Sequence, residues 1–136
     1  MKYDSSGFLQ VAAFTASGAL PLPNIIIRVF GADEENIATD YSVMTNRDGL
    51  SEILVLPAPS ISYSLKPNAP EQAFARYNVE ASGDGYYSKK IFDVEVFSGI
   101  KSILPLEMIP TSGMTRYVTP PILSNTSIIT ENEDLN

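Results

Sequence analysis

Cysteine, histidine and tryptophan are all absent from this 136-residue chain, and the first two absences each remove a class of chemistry. Without cysteine there is no disulfide, no thiolate metal site and no cysteine nucleophile. Without histidine there is no serine–histidine or cysteine–histidine catalysis, and the usual nitrogen ligand for zinc, copper and iron is missing. Basic residues are scarce as well. Nine of them face 16 acidic ones, a net charge of −7, so the side chains that displace counterions from a phosphate backbone are few, and nucleic acid is not an expected partner. No run of about 18 apolar residues occurs, so no membrane-spanning helix is expected. The start, Met1-Lys2-Tyr3-Asp4-Ser5-Ser6-Gly7, lacks the apolar stretch of a secretory signal, and the expectation is a leaderless, soluble chain whose location the sequence leaves open.

What is present is a pattern of short apolar runs separated by turn residues. Hydrophobic residues make up 44% and charged residues 18%, enough for one folded core in a chain of this length. No window carries a capped helical period, and the runs read as seven strands: Gly7 to Phe14, Ile25 to Phe30, Ile37 to Thr45, Leu50 to Leu56, Arg76 to Ser82, Tyr86 to Phe97 and Ile100 to Ile109. The β-branched run Ile25-Ile26-Ile27 with Val29 predicts a strand covered on much of both faces. Asn46-Arg47-Asp48-Gly49 predicts a hairpin turn in which glycine takes the positive φ. Ser98-Gly99 predicts another. Between Pro57 and Ala75 four prolines interrupt any central strand and leave a long loop, with a short edge strand at Ile61 to Leu65. The expected fold is all-β, a seven-stranded Greek-key β-sandwich with an extended C-terminal tail. Its divisions are an N-terminal arm (1–6), the sandwich (7–110) and a polar, acidic tail (111–136) that docks on a neighbour.

Four stretches carry a family resemblance: Gly7-Phe8-Leu9-Gln10-Val11, Ala19-Leu20-Pro21-Leu22-Pro23-Asn24, Thr45-Asn46-Arg47-Asp48-Gly49-Leu50 and Gly85-Tyr86-Tyr87. In these the chain resembles the carboxypeptidase regulatory-like, transthyretin-like (prealbumin-like) sandwich family over Gly7 to Pro110. It is further similar to the N-terminal, non-catalytic segments of clostridial spore cortex-lytic and peptidoglycan-binding proteins. Leu56-Pro57-Ala58-Pro59, Arg76-Tyr77-Asn78-Val79-Glu80 and the stretch Ile100 to Pro110 carry that likeness. It implies a setting in cell-wall or spore-cortex machinery. The long loop between Pro57 and Ala75 departs from the generic family, and no peptidoglycan-binding or hydrolase domain follows the sandwich, so wall lysis does not carry over.

Asp33, Glu34, Glu35 and Asp40 are the acids closest together in a region that forms a turn, and they read as a solvated face rather than a catalytic carboxylate pair. Asn46, Asp48 and Gly49 match part of a calcium loop, but Met44 and Val55 stand where the first and twelfth ligands belong and offer no side-chain oxygen. The aromatic residues Tyr63, Phe74, Tyr77, Tyr86 and Tyr87 flank the long loop and the Gly83-Asp84-Gly85 turn, and such residues favour interfaces and carbohydrate sites. With Val118, Ile122, Leu123, Ile128 and Ile129 of the tail they form the candidate interaction surface. The sequence thus predicts a domain that is not an enzyme, needs no cofactor or metal, and binds a protein, further copies of itself or peptidoglycan. The rival reading is a structural subunit of a phage tail, capsid or filament, docking through the long loop and the tail.

Overall fold

A computed structural model of the chain describes residues 2–61 and 73–111. Alternation of small or apolar with polar residues sets its longest strand, β1 (Ser5–Thr15), in which Gly7, Leu9, Val11, Ala13 and Thr15 are buried and the residues between them are not. A single 3₁₀ turn leads to a two-residue strand, β2 (Leu20–Pro21). There follow β3 (Ile26–Gly31), a 3₁₀ turn at Glu34–Asn36, β4 (Asp40–Met44), β5 (Leu54–Ala58), β6 (Ala75–Ser82), β7 (Lys89–Val96) and β8 (Lys101–Glu107). The fold is all-β, and no helix among the described residues is long and apolar enough to cross a membrane.

The strands form two sheets packed face to face. In sheet I, β1 is central, with β8 parallel on one side from Phe8↔Lys101 to Phe14↔Glu107 and β5 antiparallel on the other from Ser5↔Ala58 to Leu9↔Leu54. Sheet II runs β4-β3-β6-β7, every pair antiparallel. Leu9, Val11, Leu56 and Leu106 from sheet I meet Ile27, Val29, Val79 and Val96 from sheet II in one core. Each fully buried aliphatic of this kind contributes about 1.5–3 kcal/mol relative to exposure.

Five details differ from the sequence expectation. The Asn46 turn has the expected chemistry: Gly49 sits at φ +77°, its N–H donates to the Asn46 carbonyl, and Asn46 Oδ1 accepts from the amides of Asp48 and Leu50. It does not close a hairpin, because β1 captures the chain as it leaves. The Ala13 amide donates to Gly49 O, the Ser51 amide donates to Val11 O, and Ser51 Oγ accepts from the Val11 amide, so the turn arches from sheet II to sheet I. Ser98-Gly99 likewise joins β7 of sheet II to β8 of sheet I. In β3, Ile26 is 48% exposed, so only one face is covered. In β7, Asp93 stands at φ +59° in a bulge, which puts Ile91 on the same face as Val94 and Val96 although their spacing is odd. Ser5 and Ser6, assigned to the arm, are the first residues of β1.

Candidate interaction surface

The structure divides the aromatic residues of the candidate surface. Phe74 lies just before β6, half-buried, with its ring tilted against Phe97 at 5.5 Å. Tyr86 and Tyr87 follow the turn after β6, the first half-buried against the core and the second exposed. At about 3.3 Å per residue, β6 separates these two places by about 25 Å, so they belong to opposite ends of the sandwich. Tyr77 is not a surface residue at all. It is fully buried between the sheets, where its hydroxyl donates to the Pro57 carbonyl at 2.5 Å and burial pushes its pKa up to about 12. Its phase with Val79 and Ala81 on β6 was the sequence signal for this, since all three face inward. Tyr63, Val118, Ile122, Leu123, Ile128 and Ile129, together with most of the long loop and the tail, lie outside the described residues.

The acidic turn is also sorted by the fold. Asp33, expected to be solvated, has a side chain only 7% exposed. Its carboxylate accepts from the Tyr3 hydroxyl at 2.6 Å, the Arg76 amide at 2.8 Å and Arg76 Nε at 2.8 Å. Burial works to raise its pKa, but the Tyr3 hydroxyl and the two Arg76 donors outweigh burial and hold the carboxyl below its ordinary value. Burial and the neighbouring Asp33 raise the Tyr3 phenol in turn. Asn36 completes the lock, accepting from the Asp33 amide at 2.8 Å and donating to the Arg76 carbonyl at 2.9 Å. A side chain on Gly31 would collide with Asn36 O, which explains a glycine at that point of close approach. Asp40 instead pairs with Arg28 on the exposed face of sheet II, and Glu34 and Glu35 stay in solvent. The four carboxylates are therefore not assembled into one site. Among the described residues, no group of three or more acidic residues is placed to hold a metal ion.

The outer faces of the sheets differ chiefly in ionic content, since Ile26 and Met44 are exposed on sheet II as well. On sheet II, Arg28 reaches Asp40 at 2.9 Å and Glu80 at 3.6 Å, Lys90 reaches Glu80 at 4.0 Å, and the Arg28 guanidinium lies 4.3 Å over the Phe30 ring. Ionic side chains thus run across all four strands. On sheet I, the register places Phe8 beside Val55 and Lys101, Gln10 beside Ile103, Ala12 beside Pro105 and Phe14 beside Glu107. Val55 is 53% and Ile103 58% exposed, and the Gln10 amide is turned onto the Ser51 carbonyl. Lys101 and Glu107 bring charge to the two ends of this face, and the exposed Glu52 follows Ser51 on its β5 side.

No family model and no curated protein matches the chain. Solved structures do match its fold. They include the Bacillus anthracis TIE protein (21% identity, TM-score 0.51, covering 78% of this chain and 17% of that one). They also include the 3-chlorocatechol 1,2-dioxygenase of Rhodococcus opacus (12%, 0.51, 79% and 61%) and the catechol 1,2-dioxygenase of an Acinetobacter species (12%, 0.52, 91% and 58%). The chain spans less than two thirds of each of these proteins. At such identities the likeness is one of fold, and it is compatible with a transthyretin-like sandwich. It also corrects the expectation that the chain is not an enzyme. The same architecture occurs in several catechol dioxygenases, so a sandwich of this shape does not argue against catalysis, and it confers no activity on this chain either.

Proposed function

We propose that the domain is an interaction module that binds a protein of the bacterial cell-wall or spore-cortex machinery against the outer face of sheet I. The observation that carries this reading is the apolar surface made by Phe8, Ala12, Phe14, Val55, Ile103 and Pro105 on three adjacent strands. An ordinary solvated sheet face looks like that of sheet II. Apart from Gln10 the face is aliphatic between two half-buried phenylalanine rings, which suits a protein surface better than a sugar chain, since glycans are gripped by open aromatic faces and hydrogen-bonding side chains. The wall and cortex setting rests on the sequence resemblance.

The test combines cross-linking of the full chain in a cortex extract, mapped by mass spectrometry, with co-sedimentation on purified cortex peptidoglycan. Both use the native chain and a Val55→Glu, Ile103→Glu variant. Cross-links to one wall or cortex protein that centre on β1, β5 and β8 and disappear in the variant support the reading. Cross-links that survive the variant, or co-sedimentation with peptidoglycan alone that the variant leaves intact, overturn it.

A further inference from the structure

A sheet edge exposes unpaired backbone groups, and folds protect such edges with proline, bulges or covering chain. Among the described strands, β8 contains Pro105 and β5 contains Pro57. β7 is interrupted by the Asp93 bulge, and the chain just ahead of it is tied down where the Tyr87 amide donates to Ile109 O and Lys89 Nζ to Glu107 O. The edge of β4 carries none of these devices. Its sequence, Asp40-Tyr41-Ser42-Val43-Met44, contains no proline, glycine or lysine and no bulge, and its one charge is held by Arg28.

The register decides which groups are open. The Gly31 amide donates to Thr39 O and the Thr45 amide to Ile25 O, so in an antiparallel ladder the odd-numbered residues between them bond to β3. The N–H and C=O groups of Asp40, Ser42 and Met44 therefore face away from the sheet, and among the described residues they have no partner. Their side chains lie on the outer side, which is polar at Asp40 and Ser42 and apolar at Met44. Tyr41 and Val43 lie on the inner side, in register with the buried Val29 and Ile27. Yet Tyr41 is 43% exposed and Val43 only half-buried, so the inner layer of the sandwich is left unfinished along this edge.

We propose that a second copy of the chain finishes it, by antiparallel pairing of β4 with its counterpart about a twofold axis at Ser42. The edge is its own complement, and this selects a second copy over an unrelated strand. Only the register that sets Ser42 against Ser42 aligns all five residues of both strands. The outward groups then fall at hydrogen-bonded positions: the two Ser42 residues exchange a pair of bonds, and Asp40 exchanges a pair with Met44 at each end, about six bonds in all. Tyr41 of each copy lies opposite Val43 of the other at the closer, non-hydrogen-bonded position, so two aromatic–β-branched pairs cover the unfinished layer. On the outer side serine faces serine and each aspartate faces a methionine, so no like charges are opposed. Any shift of register loses both Tyr41–Val43 contacts, and the shift centred on Asp40 opposes two carboxylates. The two four-stranded sheets become one continuous sheet of eight strands. Such a closed contact uses up the edge on both copies, and association stops at the dimer.

Light scattering over a concentration series tests this on the purified full chain and on its Ser42→Lys and Ser42→Glu variants. Ser42 is exposed, so both variants are expected to fold, and urea midpoints measured at low concentration check that they match the native chain. Pairing through one edge strand is small beside a standard interface, so the native mass is expected to rise from one chain to two as the concentration approaches about 1 mM. Each variant alone sets like charges across the axis and stays at the mass of one chain. An equimolar mixture of the two sets opposite charges there and regains the mass of two. That rescue is specific to a twofold contact centred on Ser42. A native chain that stays monomeric throughout, association that continues beyond two chains, a dimer that survives either substitution, or a mixture that remains monomeric overturns the proposal.

Discussion

Sheets I and II share one core but turn different surfaces outward, and the difference lies only in the residues between the buried positions. On β3 those residues are Ile26, Arg28 and Phe30, and on β6 they are Arg76, Asn78, Glu80 and Ser82, so ionic and amide groups dominate. On β1 they are Phe8, Gln10, Ala12 and Phe14, and on β5 they are Val55 and Pro57. Both sets alternate with buried residues equally well. Alternation therefore locates the core, while the composition of the other phase sets the chemical character of the outer face.

That comparison can be broken most severely from the inside. Leu56 and Val55 are neighbours on β5, one fully buried and one half in solvent. Leu56→Ala should cost about 2–5 kcal/mol in urea unfolding, because it leaves a cavity between the sheets. Val55→Ala should stay within about 0.5 kcal/mol. Similar losses for the two would mean that the outer face of sheet I is already packed in the free chain.

A smaller effect is expected at the buried carboxylate that ties the turn after β3 to the N-terminal arm. Asp33→Asn should cost about 1–3 kcal/mol, the range for a lost hydrogen bond to a charged group. Because the folded carboxyl lies below its unfolded value, the folded state binds fewer protons over the intervening range. The stabilisation is complete above the ordinary carboxylate range and is lost as pH falls through the depressed folded value. Urea midpoints from pH 7 to pH 2 should therefore converge for the native chain and the variant at the acid end. A gap that stays constant with pH would assign the loss to packing instead.

The smallest effect should come from the ionic face itself. Arg28→Ala removes the centre of the Asp40–Arg28–Glu80 network, yet these groups are solvated and salt screens them. The unfolding midpoint should drop slightly at low ionic strength and coincide with that of the native chain in 1 M NaCl. A salt-independent drop would show that the packing of the Arg28 guanidinium on Phe30 matters more than its ion pairs.

Much of the sandwich was legible in the chain. Gly7 to Phe14 alternates cleanly enough to place β1, and Arg76 to Ser82 places β6 together with its inner face, including Tyr77. The bulge at Asp93 was not legible, since an aspartate at positive φ leaves no mark in an alternating run and simply exchanges the phases on either side of it. The apolar outer face of sheet I was not legible, since Phe8, Val55 and Ile103 each looked like an ordinary member of its own strand, and the aromatic residues singled out in the sequence, Phe74 and Tyr87 among them, lie elsewhere on the sandwich or outside the described residues.

By itself the sequence determined the all-β class, the turn residues and the inner phase of most strands, because these depend on period and backbone conformation within a few residues. Tertiary structure alone decided that the Asn46 and Ser98 turns arch between sheets. The same local turn serves a hairpin or an arch, and hydrogen bonds from β1 to residues far along the chain select one of them. It also decided which aromatic residues share an end, which acid is buried, and that the apolar residues of three separate strands form one face. Each of these is a relation between distant residues, and such relations exist only once strand register is fixed.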